Sequence, residues 1–434
     1  MGRIARLGAT MAVALALAGC GDGGGRPAPT VSATPTISPA ELEAAYAAVT
    51  VYDLAALVLQ KGAYGLLTVG MDVSPTSGYS DNQDVAVEDL NTLGATRADV
   101  DALGRVGGYD LTFELPAFDA GLVQVASSLE LFEANRDVER YVELVLENVA
   151  RQDGSDGITL GRLTEFDIAA VEGGRGFRAE LEFTGLGNAV WTGAWVQRGP
   201  LLHVVMLLDA ESLTDRSPDV GELLGQLEAR VRDGLTGTIE ARVEHRLPEV
   251  ERRKVPPPAE GPDLAAMALT LADLVRGFEL TTDGYFDEPD REAYFERSFT
   301  ASAGLAPLGG SSVDGVSVSL ELWSDADEAS SFLADRAALF GGVEGPANYQ
   351  GALAQSGTFI TETVAELSEL DLGDGALSLE VSATFGEAGS RTLHHVWIRR
   401  GQVVAQLVVT GPAGELLAED VLRLAELLDA RLAS

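Results

Sequence analysis

Few residues of this chain have the chemistry for catalysis or for binding a metal ion. Its histidines are His203, His245, His394 and His395, and its one cysteine is Cys20. Neighbouring side chains of a strand point to opposite faces, so His394 and His395 cannot bind one metal ion without a bulge. No glycine-rich nucleotide-binding motif stands between a strand pattern and a helix pattern, since the Gly-x-Gly-x-x-Gly spacing occurs only at residues 19–24. The Gly-x-Ser-x-Gly motif of serine hydrolases is absent from the sequence. We therefore predict no catalytic residues, no metal site and no cofactor.

Two other classes of function stay open at this point. Sequence spacing does not show whether a serine, a histidine and a carboxylate come together in space, so a metal-independent hydrolase is one alternative. Such an enzyme needs these groups in one deep cleft. The other alternative is a purely structural protein that supports assembly and has no useful pocket.

Two tryptophans at matching places in similar segments are the candidates for a binding surface. Each begins a segment that ends in Arg-Gly, one at Trp195 and the other at Trp397. In a strand, Trp397 shares one face with His395 and Arg399. If that face is the open side of a sheet, these side chains can contact a ligand, and Trp195, Trp397, His395 and Arg399 form a possible binding face. Core packing of both tryptophans is the alternative interpretation.

Short segments recur in the same order in the two halves of the chain. The pairs are 54–58 with 271–275, 128–132 with 319–323, 195–199 with 397–401, and 227–230 with 428–431. The spacings between partners differ only by the size of loop insertions. This pattern predicts that one domain has been duplicated.

Two stretches without a periodic hydrophobic pattern divide the chain. Residues 20–37 are rich in Gly, Pro, Ser, Thr and Ala, which predicts a flexible tether, and 247–262 contains three consecutive prolines, which predicts a linker. The folded domains are then 38–246 and 263–434. Ser38, Pro39 and Glu41 have the spacing of a helix capping box, and the hydrophobic pattern that follows predicts one helix to about residue 60.

Each half combines strands of alternating pattern with amphipathic helices at its ends. In the second half, 316–322 alternates with period two and is followed by helical patterns. We predict an α+β fold made of two tandem copies of an antiparallel sheet with helices packed on one face. This order of elements is similar to that of Mog1/PsbP-like domains found in some bacterial lipoproteins. The resemblance implies binding or assembly-support roles and carries over no site residue.

The N-terminus has the organisation of a secretion signal. Arginines precede an apolar run, residues 7–17, that is too short to cross a bilayer. The sequence Leu17-Ala18-Gly19-Cys20 resembles the lipobox of bacterial lipoproteins. The resemblance implies that residues 1–19 are a signal peptide and that Cys20 carries fatty acyl chains such as palmitate. It also implies that the mature protein is anchored on the extracytoplasmic side of the bacterial cell membrane.

The charge of the chain restricts its partners. Its 67 acidic and 30 basic residues give a formal net charge of −37. So negative a surface repels nucleic acid and anionic headgroups, which leaves the acyl chains as the means of membrane attachment. The sequence thus predicts a lipid-anchored, non-catalytic protein of the cell envelope that binds an unidentified protein or small molecule.

Overall fold

A computed structural model describes residues 38–116, 121–133, 136, 138–152, 157–184, 187–210, 214–248, 250, 252–355, 363–384 and 390–434. The predicted signal peptide, the tether and Cys20 lie outside these residues. The chain divides into two compact units, residues 1–250 and 251–434. The division falls inside the segment 247–262.

The first unit begins with the predicted capping box. The amide of Glu41 donates to the Ser38 hydroxyl at 3.3 Å, and the amide of Ser38 donates to the Glu41 carboxylate at 2.8 Å. The first helix ends at Ala47, and a second short helix follows, so the single helix expected to about residue 60 is wrong. The helices and strands of this unit are α1 (Pro39–Ala47), α2 (Leu54–Leu57), β1 (Asp72–Val73), β2 (Gly78–Ser80), α3 (Asn82–Glu88), α4 (Arg97–Ala102), β3 (Arg105–Glu114), β4 (Gly121–Phe132), α5 (Glu139–Ala150), β5 (Ile158–Asp167), β6 (Arg175–Phe183), β7 (Gly187–Arg198), β8 (Leu201–Ala210) and α6 (Ser217–Leu235).

The strands of the first unit form one antiparallel sheet. Their order is β1-β3-β4-β8-β7-β6-β5, and β2 also pairs with β3. Helices α1, α2 and α6 pack on one face of this sheet. Helices α3, α4 and α5 pack on the other face.

The second unit begins earlier than the sequence predicts. Residues 254–255, which fall in the predicted linker, form a strand that pairs with Phe286 and Tyr285. The helices and strands of this unit are β9 (Lys254–Val255), α7 (Leu264–Met267), β10 (Phe278–Phe286), β11 (Ala293–Ala301), β12 (Ala306–Leu308), β13 (Ser311–Val313), β14 (Gly315–Leu322), α8 (Ala326–Phe340), α9 (Gly345–Gln355), β15 (Thr363–Leu370), β16 (Ala376–Thr384), β17 (Ser390–Arg400), β18 (Val403–Pro412) and α10 (Ala418–Leu432).

The second unit also has one large antiparallel sheet. Its order is β15-β16-β17-β18-β14-β11-β10-β9, and β12 pairs separately with β13. Helices α7 and α10 pack on one face, and α8 and α9 pack on the other.

The α+β class and the two antiparallel sheets are confirmed, but the expected placement of helices on one face is wrong. Strand β16 shows the reason, because its residues 376–379 are all buried. Ala376 belongs to the core under α10, whereas Leu377 and Leu379 belong to the core under α8. A strand that is apolar on both faces needs cover on both.

The two sheets have the same strand order, which is the topology that a duplication predicts. Read from one edge, β5-β6-β7-β8-β4-β3 corresponds to β15-β16-β17-β18-β14-β11. The paired segments 128–132 and 319–323 fall at the ends of β4 and β14. The pair 195–199 and 397–401 falls at the ends of β7 and β17, and the pair 227–230 and 428–431 lies in α6 and α10.

The predicted pair 54–58 with 271–275 is wrong by seven residues. The partner of α2 is α7, with Leu-Ala-Ala-Leu in one and Leu-Ala-Ala-Met in the other. Both helices end in an extended residue, Val58 with φ −60° and ψ 157° and Ala268 with φ −71° and ψ 156°. A buried leucine follows each, Leu59 and Leu269. Leu271 instead starts a 3-10 turn.

Candidate functional site

Three aromatic rings lie side by side on the face of the first sheet that α5 covers. Phe177 of β6 lies between Trp191 and Trp195 of β7, with ring centroids 5.5 Å and 6.3 Å away. The two tryptophans share this face because their positions differ by an even number. Gly193 lies between them, and a Cβ atom there would overlap the ring of Phe177. The glycine therefore allows the three rings to pack together.

A cavity of about 310 Å³, which we call the α5 cavity, opens beside Trp191. Its walls are mainly apolar and come from α5 and from the strands below. Trp191 is partly exposed in the cavity, whereas Trp195 is buried. Its apolar lining residues include Val145, Val149, Ile158, Leu181, Phe183, Trp191 and Leu208.

Helix α5 is fixed over the sheet by its buried face and by one amide side chain. Leu146 and Val149 are buried against the sheet. The carbonyl oxygen of the Asn148 side chain accepts hydrogen bonds from the Thr92 amide at 2.8 Å and the Thr92 hydroxyl at 2.6 Å. These bonds tie the C-terminal half of α5 to the turn that follows α3, and so they fix one wall of the cavity.

The mouth of the α5 cavity is polar and acidic. Among the described residues, its charged lining residues are Glu88 and Asp89, both exposed, and the neutral polar residues that line the cavity are Gln124, Gln152 and the buried Asn148. Asp89 ends α3 and is exposed to solvent through the mouth. No described residue donates a hydrogen bond to its carboxylate. Surrounding protein atoms that reduce its hydration, together with the carboxylates of Asp110 and Glu130, raise the pKa of Asp89.

An ion pair on the same sheet face lies behind the mouth. Arg105 donates from Nε to Glu130 Oε2 at 2.6 Å, and both side chains are buried. Its other nitrogens donate to Asn82 Oδ1 at 2.9 Å and to Ser80 Oγ at 2.7 Å. Gly108 lies beneath this pair, since a Cβ atom there would overlap both charged groups. The guanidinium is therefore fully engaged.

Asp110 is a second carboxylate in this region, on β3. It is half-buried. Burial and the neighbouring charge of Glu130 raise the pKa of Asp110, and the Ser128 hydroxyl and Arg105 offset this effect only in part. One arginine thus faces several carboxyl groups, and the raised pKa values of Asp89 and Asp110 mean that the region opposes further negative charge. Perturbed carboxyl groups beside a cavity are typical of functional sites.

Trp195, one of the sequence candidates, lines a different cavity on the same sheet face, of about 400 Å³. The guanidinium of Arg175 lies 5.6 Å from the centre of its ring. Arg175 also pairs with Glu139 at 3.1 Å and with Glu165 at 2.7 Å. The face of Trp195 therefore already holds a cation from its own unit.

The other sequence candidates lie in the second unit, where α8 and α9 cover them. Trp397 is 3% exposed, and its ring stacks on Phe340 of α8 at 6.1 Å. His395 stacks on Trp397 at 5.5 Å and forms a 2.7 Å hydrogen bond through Nε2 with the Tyr349 hydroxyl. Packing around His395 lowers its pKa to about 4. The open sheet face that the sequence argument required is absent here, because helices occupy it.

Arg399 is held at the end of β17. It donates from Nη2 to the backbone carbonyl of Asp374 at 2.8 Å and from Nη1 to that of Gly401 at 3.3 Å. Its side chain is thus used to fix a turn.

The remaining histidines have structural surroundings. Burial lowers the pKa of His203 to about 3, and neither ring nitrogen has a hydrogen-bond partner among the described groups. His245 bonds to Tyr109 at 2.7 Å and to Gln60 at 2.8 Å. His394 forms a 2.6 Å bond with the Ser378 hydroxyl, but its Nδ1 has no partner among the described residues. A hydrolytic triad requires an acid at that nitrogen, so this contact does not form one.

No group of three or more His, Cys, Asp or Glu side chains in the described part of the chain has the arrangement of a metal site. None of the helices described above is long and apolar enough to cross a membrane.

Comparison with known proteins gives weak similarities only. No protein-family model matches the chain, and no curated protein matches it. The extracellular domain of PknH from Mycobacterium tuberculosis aligns with a TM-score of 0.30 and 11% identity, over 42% of this chain and 97% of that domain. A protein of unknown function, PA94 from Pseudomonas aeruginosa, aligns with a TM-score of 0.19 and 16% identity, over 27% of this chain and 79% of that one.

Sequence reasoning missed the tryptophan that is open to a ligand. Trp191 lies four residues before Trp195, so strand alternation places both on one face, and Gly193 between them is a signal of close packing. No local sequence pattern predicts that Asp89 lies beside this tryptophan, because the two residues are far apart in the chain.

Proposed function

We propose that this protein is a lipid-anchored, non-catalytic ligand-binding protein of the bacterial cell envelope, and that its first unit binds a small ligand in the α5 cavity. One observation carries the binding proposal, namely a cavity of about 310 Å³ with apolar walls and a partly exposed tryptophan. Ligand sites are concave, mainly apolar and equipped with a few polar groups at fixed positions, and this cavity has those features.

The size of the cavity limits what it accepts. Its volume is at the lower end of the range for small-molecule sites, about 300 to 1,000 Å³. The ligand is therefore small, or only its apolar part enters. Transfer of that part from water to the walls supplies the driving force, and the polar groups at the mouth orient the rest.

The cellular part of the proposal rests on the N-terminal sequence. The lipobox-like Leu17-Ala18-Gly19-Cys20 supports acylation of Cys20 and attachment on the extracytoplasmic side of the membrane. Several acyl chains on one residue are enough for stable anchoring. The segment 20–37 then separates the folded units from the bilayer.

The test of binding is a calorimetric titration of the full chain with 4-phenyl-1-butanol, a neutral probe with an apolar body. Val145→Trp fills the cavity from α5 and is expected to abolish saturable binding. Val87→Trp adds the same side chain on α3 at a position that is 58% exposed, and it is the matched control. Leu208→Phe fills less space from the sheet side and is expected to weaken binding. Circular dichroism shows whether each variant is folded.

The outcomes separate clearly. Saturable binding that Val145→Trp removes and Val87→Trp retains supports the proposal. No saturable binding to the unaltered protein, or equal binding by folded Val145→Trp, contradicts it.

A further inference from the structure

We infer that the α5 cavity selects a ligand with a cationic head, an ammonium or guanidinium group, over neutral and anionic ligands with the same apolar body. This inference rests on the proposed function and names the chemical class that the site accepts. It is carried by the combination of an aromatic, apolar cavity with an unpaired carboxylate at its mouth.

The charged side chains that line the cavity are acidic. Among the described residues, its charged lining residues are Glu88 and Asp89, and no lysine or arginine of this part of the chain lines it. Asp89 receives no hydrogen bond from a described residue. A carboxylate beside apolar walls gains from a cation more than it would in bulk water, because the local dielectric is lower.

The nearby cation of the protein itself does not neutralise Asp89. Arg105 is the nearby arginine, and it is bound to Glu130, Asn82 and Ser80. Glu130 uses its other oxygen to accept from the Ser128 hydroxyl at 2.7 Å. Arg105 and Glu130 thus both have hydrogen-bond partners within the first unit. Among the described residues, Arg105 forms its ion pair with Glu130 and not with Asp89 or Asp110.

The apolar part of the site includes an aromatic ring. Trp191 is partly exposed in the cavity, and Phe177 packs edge-on against it with an interplanar angle of 86°. Tryptophan is the best aromatic partner for a cation, and the attraction grows when water is excluded. Because Asp89 and Trp191 both line the cavity, an ammonium bound there has a carboxylate and an aromatic ring among its neighbours. An anionic head meets repulsion from the same carboxylates.

A dependence on pH follows from these surroundings. The charged groups that face Asp89 are Glu88 beside it, Asp110 and Glu130 on the sheet, and Arg105. Tyr141 of α5 also faces it, and burial raises the pKa of this phenol, so it stays neutral between pH 6 and 8. The α5 residues that line the cavity are uncharged. A bound cation favours the ionised form of Asp89, so binding releases protons. The affinity for a cationic probe is expected to rise with pH between 6 and 8, whereas the affinity for a neutral probe is expected to stay constant.

The experiment compares three probes that share the phenylbutyl body, in titrations of the full chain. They are 4-phenylbutyltrimethylammonium, 4-phenyl-1-butanol and 4-phenylbutanoate. We expect the ammonium probe to bind about tenfold more tightly than the alcohol, and the carboxylate probe to bind most weakly. Asp89→Asn is expected to reduce the ammonium-to-alcohol ratio several-fold. Glu147→Gln removes the same charge from a residue of α5 that pairs with Arg151 outside the cavity, and it should keep the ratio.

Each outcome bears on one proposal. Equal affinities for the three probes, or tightest binding of the carboxylate probe, overturn the cation inference and leave the α5 cavity as a ligand site. A ratio that Asp89→Asn and Glu147→Gln reduce equally also overturns it, because net charge alone would then explain the preference. If none of the probes binds, the proposed function itself fails.

Discussion

The guanidinium of Arg400 binds both carboxylate oxygens of Asp429, at 2.7 Å and 2.8 Å, and so joins the end of β17 to α10. The first unit contains a corresponding ion pair, in which Nε of Arg198 at the end of β7 binds one carboxylate oxygen of Glu228 in α6. These are the charged residues of two of the segment pairs found in the sequence. The repeat therefore preserves an ion pair as well as a strand order.

Asp429→Asn is expected to destabilise the second unit by about 1 to 2 kcal/mol at pH 7, because a charge-assisted, two-point contact is lost. The Arg400 guanidinium lowers the pKa of Asp429 below its usual value. The stabilisation is thus present above the pKa of an unfolded aspartate, about 4, and is lost as pH falls through the lower folded value. Thermal unfolding of wild type and variant at pH 7 and pH 3 checks this. A difference between the two that is as large at pH 3 as at pH 7 would contradict the ion-pair explanation.

Asp110→Asn, in contrast, is expected to stabilise the first unit. The pKa of Asp110 is raised in the folded protein, so its ionisation costs stability as pH rises above about 4. The variant should therefore gain protection from hydrogen exchange in β3 and β4 relative to wild type, and the gain should be larger at pH 8 than at pH 5. Because the intrinsic rate of amide hydrogen exchange depends on pH, the variant and the wild type are compared at the same pH. Loss of protection at pH 8 would show that the carboxylate stabilises the folded state.

Gly193→Ala is expected to disturb the packing of Trp191, Phe177 and Trp195. Its new methyl group overlaps the ring of Phe177, and overpacking of this kind typically costs about 1 to 3 kcal/mol. Near-ultraviolet circular dichroism and thermal unfolding measure both effects. Gly62→Ala is the control, since its Cβ atom would meet no atom within 4 Å. An unchanged aromatic spectrum in Gly193→Ala would refute the packing role.

Cys20→Ser is expected to leave the protein without acyl chains, because the serine hydroxyl replaces the thiol that the lipobox resemblance marks for modification. Partitioning of the variant in Triton X-114 should shift from the detergent phase to the aqueous phase. Metabolic labelling with palmitate should be lost at the same time. Equal partitioning of variant and wild type would count against lipid anchoring through this residue.

The sequence determined the local elements and their repetition. Strand alternation and capping residues act over a few positions, so the α+β class and the Ser38 cap were predictable. The pairs 195–199 with 397–401 and 227–230 with 428–431 predicted the duplication, and they lie in corresponding strands and helices. The pairing of 54–58 with 271–275 failed because a short helix and a 3-10 turn share similar apolar letters.

Only the tertiary structure decided which sheet faces are covered and where a cavity remains. Alternation places Trp397 and His395 on one face, but α8 and α9 arrive there from elsewhere in the chain and bury it. Asp89, Asn148 and Trp191 are more than 40 positions apart from one another and meet only because α3, α5 and β7 pack together. Burial and electrostatic environment depend on such long-range packing, and no local pattern of residues records it.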